Sequence, residues 1–229
     1  MLKFLGFGSA FAVNNNNCSA FFIENNTLNL FDCGETVFEN LVKKKILTGI
    51  KSVNIFLTHL HSDHSGSIGT LLFYLSAIGL KKEDVKVYYR DKKSICKLLK
   101  IFDVINECIV LSKKKDFEKI NIVPYIQQHN RLNSYGYMIT RSNKNYYYTG
   151  DMNIPNNKVI NMFLNNEIDK LYIDTDINET STGKYHFPIT KLKEIIPINI
   201  RNKVVCMHLS DSADLNKIKK EGFLLPEVI

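Results

Sequence analysis

Apolar and polar positions along the chain predict strands and helices that alternate. Runs of β-branched and aromatic residues indicate strands at both ends of the sequence and between the helices. The predicted strands are Lys3–Phe7, Ser19–Ile23, Leu28–Phe31, Ser52–Leu57, Val85–Tyr89, Ile120–Tyr125, Ser134–Ile139, Tyr146–Tyr148, Leu171–Asp174 and Lys203–His208.

Several of these strands are followed by apolar residues at helical spacing. The i, i+3, i+4, i+7 pattern is typical of a helix with one buried face. The predicted helices are Val37–Val42, Ile68–Ile78 ending at Gly79, Ser94–Phe102 and Ile189–Ile196. Because we find no internal repeat or linker, we expect a single domain over residues 1–229, built from two similar βα halves.

Composition agrees with a globular protein, at 45% hydrophobic and 23% charged residues. The five cysteines are odd in number, widely spaced and form no CxxC pair. That pattern indicates reduced thiols and a cytoplasmic location rather than a disulfide scaffold or a cysteine zinc site. No cleavage site follows the N-terminus and no apolar run has membrane-spanning length, so we expect no membrane partner.

The net charge of +7 favours anionic ligands but is a weak indication. Much of it comes from lysine runs at residues 43–45 and 113–115, which are more typical of solvated helix faces or loops. We attribute the asparagine run Asn14–Asn17 to genome composition. Charge therefore gives no reason to expect nucleic-acid binding.

The segment Thr58–Gly66 contains four candidate metal ligands, His59, His61, Asp63 and His64, directly after a predicted strand. His59 and His61 project to the same side of an extended backbone, while Asp63 and His64 fall on the following turn and can face a second ion. A single histidine is usually a solvated or core residue. Imidazoles crowded around a carboxylate are unfavourable without a cation between them, so this segment predicts two metals.

These four residues resemble the signature of the metallo-β-lactamase-fold hydrolases. The resemblance implies an α+β fold, a four-layer αββα sandwich, with a dinuclear zinc site. Further segments resemble the ribonuclease Z branch of that superfamily. Asp32-Cys33-Gly34-Glu35 resembles its "LFDCGE" segment, which implies that Asp32 orients the ligand loop; a helix cap is the other interpretation of Asp32, and the two are compatible.

The ribonuclease Z resemblance extends to the remaining histidines. His129 after a strand and Asp151 in Thr149-Gly150-Asp151 resemble the third histidine and the bridging aspartate, and His208 resembles the last ligand. His59, His61 and His129 would hold one metal, Asp63, His64 and His208 the other, and Asp151 would bridge them. The expected cofactor is two zinc ions, with manganese as the alternative.

Two ions in this arrangement would lower the pKa of a shared water towards ~7 and clamp the phosphoryl oxygens. The resemblance implies that His186 is not a ligand but the general acid that protonates the leaving alkoxide, with Asp174 as its orienting partner. Asp63 would also hold or accept a proton of the water. A surface histidine beside Pro188 is the other interpretation of His186.

The expected substrate depends on a missing segment. Ribonuclease Z carries a long arm between its third histidine and bridging aspartate with which it grips tRNA, whereas here residues 130–150 leave room only for a short hairpin. The family's "HEAT" segment is also replaced by Ile173-Asp174-Thr175-Asp176. The residues Gly8-Ser9-Ala10-Phe11, Asp32-Cys33-Gly34-Glu35 and Cys206-Met207-His208-Leu209 resemble the anti-Pycsar proteins of phages and bacteria.

The anti-Pycsar resemblance implies a phosphodiesterase that opens 3′,5′-cyclic mononucleotides, notably cyclic CMP and cyclic UMP, to counteract a host antiviral signal in the cytoplasm. It also implies a homodimer in which a partner subunit covers the mouth of the site, and a small anionic nucleotide rather than nucleic acid as ligand. Tyr185 and Phe187, which flank His186, are candidates to stack on the base; aromatic residues near a proline are more often core.

Three other functions stay open at this point. The first is tRNA 3′-end processing of the ribonuclease Z kind. The second is a flavodiiron-type oxygen reductase, which normally has a different fourth-ligand pattern and a flavin domain. The third is a non-catalytic binding module, which would be expected to have lost ligands that this chain keeps.

Overall fold

The computed structural model describes residues 1–129, 132–179 and 184–229. The first six strands form one mixed sheet in chain order. They are β1 (Lys3–Gly6), β2 (Ser19–Glu24), β3 (Thr27–Phe31), β4 (Ser52–Phe56), β5 (Val85–Tyr88) and β6 (Ile109–Leu111). Strands β1, β2 and β3 are antiparallel, and β3 to β6 are parallel.

A second mixed sheet has the order β11-β10-β9-β8-β7. Its strands are β7 (Ile122–His129), β8 (Leu132–Arg141), β9 (Lys144–Tyr148), β10 (Lys170–Asp174) and β11 (Val204–Met207). It repeats the pattern of the first sheet, because β7, β8 and β9 are antiparallel and β9, β10 and β11 are parallel. The two βα halves expected from the sequence are therefore present.

Eight α-helices surround the sheets in the described residues. They are α1 (Val37–Lys43), α2 (Ser62–Ser65), α3 (Ile68–Ala77), α4 (Lys92–Ile101), α5 (Lys114–Glu118), α6 (Asn157–Leu164), α7 (Ile189–Ile195) and α8 (Leu215–Lys220). Short 3₁₀ helices lie at Lys82–Asp84 and Ile198–Lys203. Within the described ranges, every helix is too short or too polar to cross a membrane.

Three buried clusters separate the layers. Strand β4 shows why, since its side chains alternate between the two faces of the sheet. Val53 and Ile55 pack with α1, α3 and α4, whereas Phe56 lies between the sheets and stacks on Tyr88 with ring centroids 4.7 Å apart. A third cluster joins the second sheet to α6, α7 and α8. The order helices, sheet, sheet, helices confirms the expected four-layer αββα sandwich.

The C-terminal ends of the parallel strands of both sheets meet at one edge of the sandwich. Two non-glycine residues there have left-handed backbone, Asp32 after β3 at φ 63° and His208 after β11 at φ 59°. Such conformations are strained for most residues and cluster where function demands them. Gly150 after β9 has φ 60°, and a Cβ there would lie 2.6 Å from the side chain of Thr58.

Most predicted elements are present, with bounds that differ by one to three residues. Strand β7 is the main difference, because it continues through Gln127 and Gln128 to His129 instead of ending at Tyr125. The sequence also failed to predict β6, α5, α6 and α8. Of the predicted hairpin segment, residues 130 and 131 lie outside the described residues.

Candidate metal centre

Strand β4 ends directly before the ligand segment. Thr58 and His59 continue the chain in buried surroundings, and His61 has extended backbone with φ −64° and ψ 155°. The chain then turns into α2, whose single turn carries Asp63 and His64. The switch from extended chain to helix separates the first pair of ligands from the second pair, as the sequence predicts.

The first group of donors comprises His59, His61, His129 and Asp151. One ligand atom from each lies within 4.8 Å of all the others. His59 Nε2 is 2.9 Å from His61 Nδ1, and both His59 Nε2 and His129 Nε2 are 3.8 Å from Asp151 Oδ2. His129 is placed here because β7 extends to it.

The second group comprises Asp63, His64, His208 and again Asp151. His64 Nε2 and His208 Nε2 are each 3.2 Å from Asp63 Oδ2. The same two nitrogens are 3.1 and 3.4 Å from Asp151 Oδ1. Asp151 thus gives one carboxylate oxygen to each group and is the side chain that joins them.

The distances between donor atoms in both groups, and the lack of hydrogen-bond partners for several of these atoms in the described structure, fit a metal ion. Four donors held 2.0–2.2 Å from one tetrahedral ion are about 3.4 Å apart, and the distances above bracket that value. His64 Nε2, His129 Nε2 and Asp151 Oδ1 are buried and have no hydrogen-bond partner in the described structure. Buried polar atoms are rarely left unpaired, so unpaired atoms within each of the two donor groups indicate bound ions.

Charge in the second group points the same way. Burial alone would lower the pKa of His208, but the carboxylates of Asp151, Asp174 and Asp63 outweigh it and raise the pKa to about 10. Burial likewise opposes the effect of Asp151, Asp63 and Asp32 on His64, whose pKa lies well above its ordinary value. The carboxylates therefore stabilise positive charge at this position, which a divalent ion would supply.

Asp32 lies behind the second group. Its carboxylate accepts hydrogen bonds from Thr58 N at 2.8 Å, Thr58 Oγ1 at 3.0 Å, His64 Nδ1 at 2.9 Å and Tyr148 Oη at 3.2 Å. The hydrogen bond to His64 Nδ1 directs Nε2 of that ring towards the metal group. The helix-cap interpretation of Asp32 is wrong, because α1 begins five residues later at Val37 with Thr36 before it.

His186 and Asp174 form a separate pair at the same edge. His186 Nδ1 is 2.9 Å from Asp174 Oδ2, and Asp174 is completely buried. Burial lowers the pKa of His186, but Asp174 outweighs this effect and leaves that pKa above its ordinary value. Asp174 and His186 also meet Asp151 and His208 in a third group within 4.8 Å. The contact with Asp174 fixes the orientation of the His186 ring, as the contact with Asp32 does for His64, and it is compatible with ligation as well as with a proton-carrying role.

A cleft of about 410 Å³ opens over these residues. Its lining includes His61, Asp63, His129, Asp151, His186 and His208, together with Ala10, Phe11, Ser62 and Tyr185. Phe11 and Tyr185 lie at its mouth. The expectation that Phe187 stacks on a base is wrong: Phe187 is 4% exposed and packs in the core with Ile189 and Leu192, where burial of its apolar ring is favourable.

The structure brings every predicted site residue to this edge, namely the seven candidate ligands, Asp32, Asp174 and His186. Their individual roles stay predictions. Sequence reasoning missed Thr58, Tyr148 and Phe11. Two of them carried a signal, since Thr58 immediately precedes His59 and Tyr148 immediately precedes Thr149-Gly150-Asp151.

Comparison with known families places the chain among proteins of this architecture. The sequence model of the family described as "Anti-Pycsar protein Apyc1" matches residues 1–94 and 89–225. These two ranges contain all of the candidate ligands as well as Asp32, Asp174 and His186.

Curated relatives include a ribonuclease Z of Borrelia garinii subsp. bavariensis, which is 28% identical over 171 residues, 67% of this chain and 53% of that protein. The chain spans about half the length of the curated relatives it matches first, 53% of each.

Two solved structures share the fold. The metallo-β-lactamase fold protein YhfI of Bacillus subtilis has a TM-score of 0.75 at 18% identity, covering 99% of this chain and 94% of that chain. The short form of human tRNase Z has a TM-score of 0.69 at 18% identity, covering 91% and 92%. The fold is therefore that of the metallo-β-lactamases.

Proposed function

This chain belongs to the anti-Pycsar protein Apyc1 family, and we propose that it hydrolyses 3′,5′-cyclic mononucleotides to nucleoside monophosphates. The family, the fold and the paired histidine and aspartate groups support a metal-dependent hydrolase. The finer proposal is a phosphodiesterase acting on cyclic CMP and cyclic UMP that counteracts a cyclic-nucleotide antiviral signal in the cytoplasm.

One observation carries the proposal. Two groups of metal donors share Asp151, and a histidine held by its own carboxylate, His186 with Asp174, lines the same cleft. A phosphodiester needs stabilisation of charge on its phosphoryl oxygens and a proton for the departing alkoxide. Ions held by the two donor groups would supply the first, and His186 would supply the second.

Seven residues would hold the ions. His59, His61 and His129 fit one ion, Asp63, His64 and His208 fit the second, and Asp151 fits between them, with one oxygen on each side. Imidazole and carboxylate donors suit zinc, with manganese as the alternative. When bound, two such ions supply Lewis-acid stabilisation and an activated water.

His186 would act as the general acid. With Nδ1 directed at Asp174 Oδ2, its other ring nitrogen is free to carry a proton to the leaving oxygen. Asp174 fixes the ring orientation and favours the protonated form, in agreement with the raised pKa of His186. Asp63, which also lines the cleft, would accept a proton from the attacking water.

The hairpin favours a small substrate. Between His129 and Asp151, the described residues form strands β8 and β9 and their connections, and β7 pairs with β8 through its whole length. The described part of this segment therefore contains no extended arm that could grip a folded RNA. A mononucleotide bound in the cleft would need no such arm.

A panel of cyclic CMP, cyclic UMP, cyclic AMP and cyclic GMP tests the proposal directly. With zinc or manganese present, we expect purified protein to release the nucleoside monophosphate from at least one of them. His186→Ala should keep about two ions per chain by mass spectrometry and lose turnover. His186→Asn, which leaves a smaller gap and also cannot donate the proton, should behave in the same way. Release of no product from any of the four would refute the proposed reaction.

The curated relatives favour a second candidate, tRNA 3′-end processing. Cleavage of a precursor tRNA at low enzyme concentration, without turnover of any cyclic nucleotide, would establish it over the first. Both candidates use the same metal groups, so the substrate panel and not metal content separates them. We further propose a homodimer, which light scattering on the purified protein would test.

A further inference from the structure

Phe11 is an aromatic residue without apolar cover. Its side chain is 94% exposed, yet it lines both the cleft over the metal groups and an adjoining cavity of about 280 Å³. An exposed phenylalanine leaves apolar surface in water, whereas most side chains of this size in the chain are buried. Because Phe11 lies at the mouth of the cleft, its position indicates that a bound ligand covers the exposed ring.

The loop that carries Phe11 is fixed by the fold. The carboxylate of Asp211 accepts hydrogen bonds from Asn14 N at 3.0 Å, from Asn14 Nδ2 at 2.9 Å and from Asn15 Nδ2 at 3.0 Å. Asn17 exchanges hydrogen bonds with Thr36, through Thr36 N at 2.9 Å and Thr36 Oγ1 at 2.8 Å. The asparagine run therefore fastens the part of the loop that follows Phe11, and our attribution to composition alone is incomplete.

Close packing of Gly8 against Asn16 and Ala12 further restricts the same loop. A Cβ on Gly8 would lie 2.7 Å from the carbonyl oxygen of Asn16 and 2.8 Å from Cβ of Ala12. Only glycine fits there without displacing the chain. A loop fastened in this way holds Phe11 in one place before a ligand arrives, which lowers the entropy cost of binding.

Tyr185 is the second aromatic ring of the cleft and is 40% exposed. Its carbonyl oxygen accepts a hydrogen bond from His129 Nδ1 at 3.1 Å, so its backbone is tied to a candidate ligand. The ammonium of Lys184 lies 5.0 Å from the centre of the Tyr185 ring. The mouth thus combines two aromatic surfaces with a positive charge, above a floor suited to a phosphate.

We propose that Phe11 and Tyr185 bind the planar base of a nucleotide whose phosphate lies at the metal groups, and that Asp211 positions Phe11 for this contact. This inference rests on the proposed function. Stacking on aromatic side chains tolerates every base, because each base has a π face. The two rings would therefore increase the affinity for nucleotides relative to phosphates that lack a base, but they would not discriminate among the bases.

Binding of products to the metal-loaded protein tests the inference without turnover. Calorimetry would compare cytidine 5′-monophosphate with ribose 5-phosphate, which lacks the base. For Phe11→Ala we expect cytidine 5′-monophosphate affinity to fall about 5- to 150-fold, with ribose 5-phosphate affinity unchanged. Phe11→Tyr should keep the affinity, and Asp211→Asn should show a smaller loss of the same kind.

Val13 supplies a matched control. It lies in the same loop and is 84% exposed, but it is not among the described residues that line the cleft. Val13→Ala should bind both ligands as the wild-type chain does. Equal losses for the two ligands in Phe11→Ala, no loss for either, or a change of oligomeric state with no base-dependent loss would each overturn the inference.

The test of the aromatic site and the test of the proposed reaction can fail independently of each other. Base-dependent binding through Phe11 without hydrolysis of any cyclic nucleotide would refute the reaction and keep the aromatic site. Hydrolysis of a cyclic nucleotide with the same KM in Phe11→Ala and the wild-type chain would refute the aromatic site and keep the reaction.

Discussion

Replacement of Asp32 by asparagine tests how the buried carboxylate controls the metal site. Asparagine has nearly the same size and tolerates the left-handed backbone of this position, φ 63°, so the exchange adds little strain. Its oxygen can keep the hydrogen bonds from Thr58. Its amide nitrogen, however, cannot accept the proton that His64 Nδ1 donates to Asp32 Oδ2 over 2.9 Å.

The size of the effect follows from that one contact. A hydrogen bond to a charged group contributes about 1.5–3 kcal/mol, which corresponds to roughly 10- to 150-fold in an equilibrium constant. Loss of a residue that orients a metal ligand typically costs about 10- to 100-fold in metal affinity or activity. We therefore expect Asp32→Asn to weaken zinc binding by about 10- to 100-fold, because His64 no longer presents Nε2 to the ion.

Competition with a chromophoric chelator would measure this affinity. Tyr148→Phe is the matched control, since it removes a different donor, at 3.2 Å from the same oxygen, and leaves the His64 contact in place. Its effect should stay below about tenfold. A folded Asp32→Asn protein that binds zinc within twofold of the wild-type chain would refute the role assigned to Asp32.

Three further predictions follow from other contacts. The kcat should fall as pH rises through the raised pKa of His186, because the general acid must be protonated. Asp174→Asn should move this fall to lower pH, since the lowering of the pKa by burial is then no longer opposed by Asp174. An unchanged pH profile in this variant would contradict the pairing of His186 with Asp174. Asp91 caps α4, and hydrogen bonds from Ser94 in the first turn of that helix lower the pKa of the Asp91 carboxyl. Its contribution to stability is thus present above the ordinary aspartate pKa and lost as pH falls, and Asp91→Ala should cost about 0.5–2 kcal/mol in urea unfolding near neutral pH, with a smaller difference in acid. Gly150→Ala should destabilise the protein by at least about 2 kcal/mol, because it combines left-handed backbone with a Cβ 2.6 Å from the side chain of Thr58; denaturant midpoints close to those of the wild-type chain would argue against that crowding.

Local sequence was enough to predict most strands and the ligand segment. Four candidate ligands lie within six residues directly after β4, and the others follow strands whose ends must meet at one edge of a sandwich. Strand β7 was predicted too short because the polar residues Gln127 and Gln128 interrupt its apolar pattern, although the strand already includes Pro124. Proline is tolerated there since β7 lies at the edge of its sheet.

Contacts between distant residues could not be predicted. Tyr148 reaches Asp32 across 116 positions of the sequence, and Asp211 reaches Asn14 across 197. Helix α8 buries a single apolar residue, Ile218, among lysines, so its periodicity is too weak to detect. These features depend on how the two halves pack together, about which local propensity says nothing.

The division of the donors between the two sheets has a topological consequence. His59 to His64 follow the first sheet, whereas Asp151 and His208 follow the second, and Asp63 and His208 are 145 positions apart in the chain. Two ions held there would act as cross-links that close long loops, in a chain whose five cysteines are all free. Metal binding would thus take the place that disulfides have in many small secreted proteins, and it would tie the two halves of the sandwich to each other at the edge where we propose that the reaction occurs.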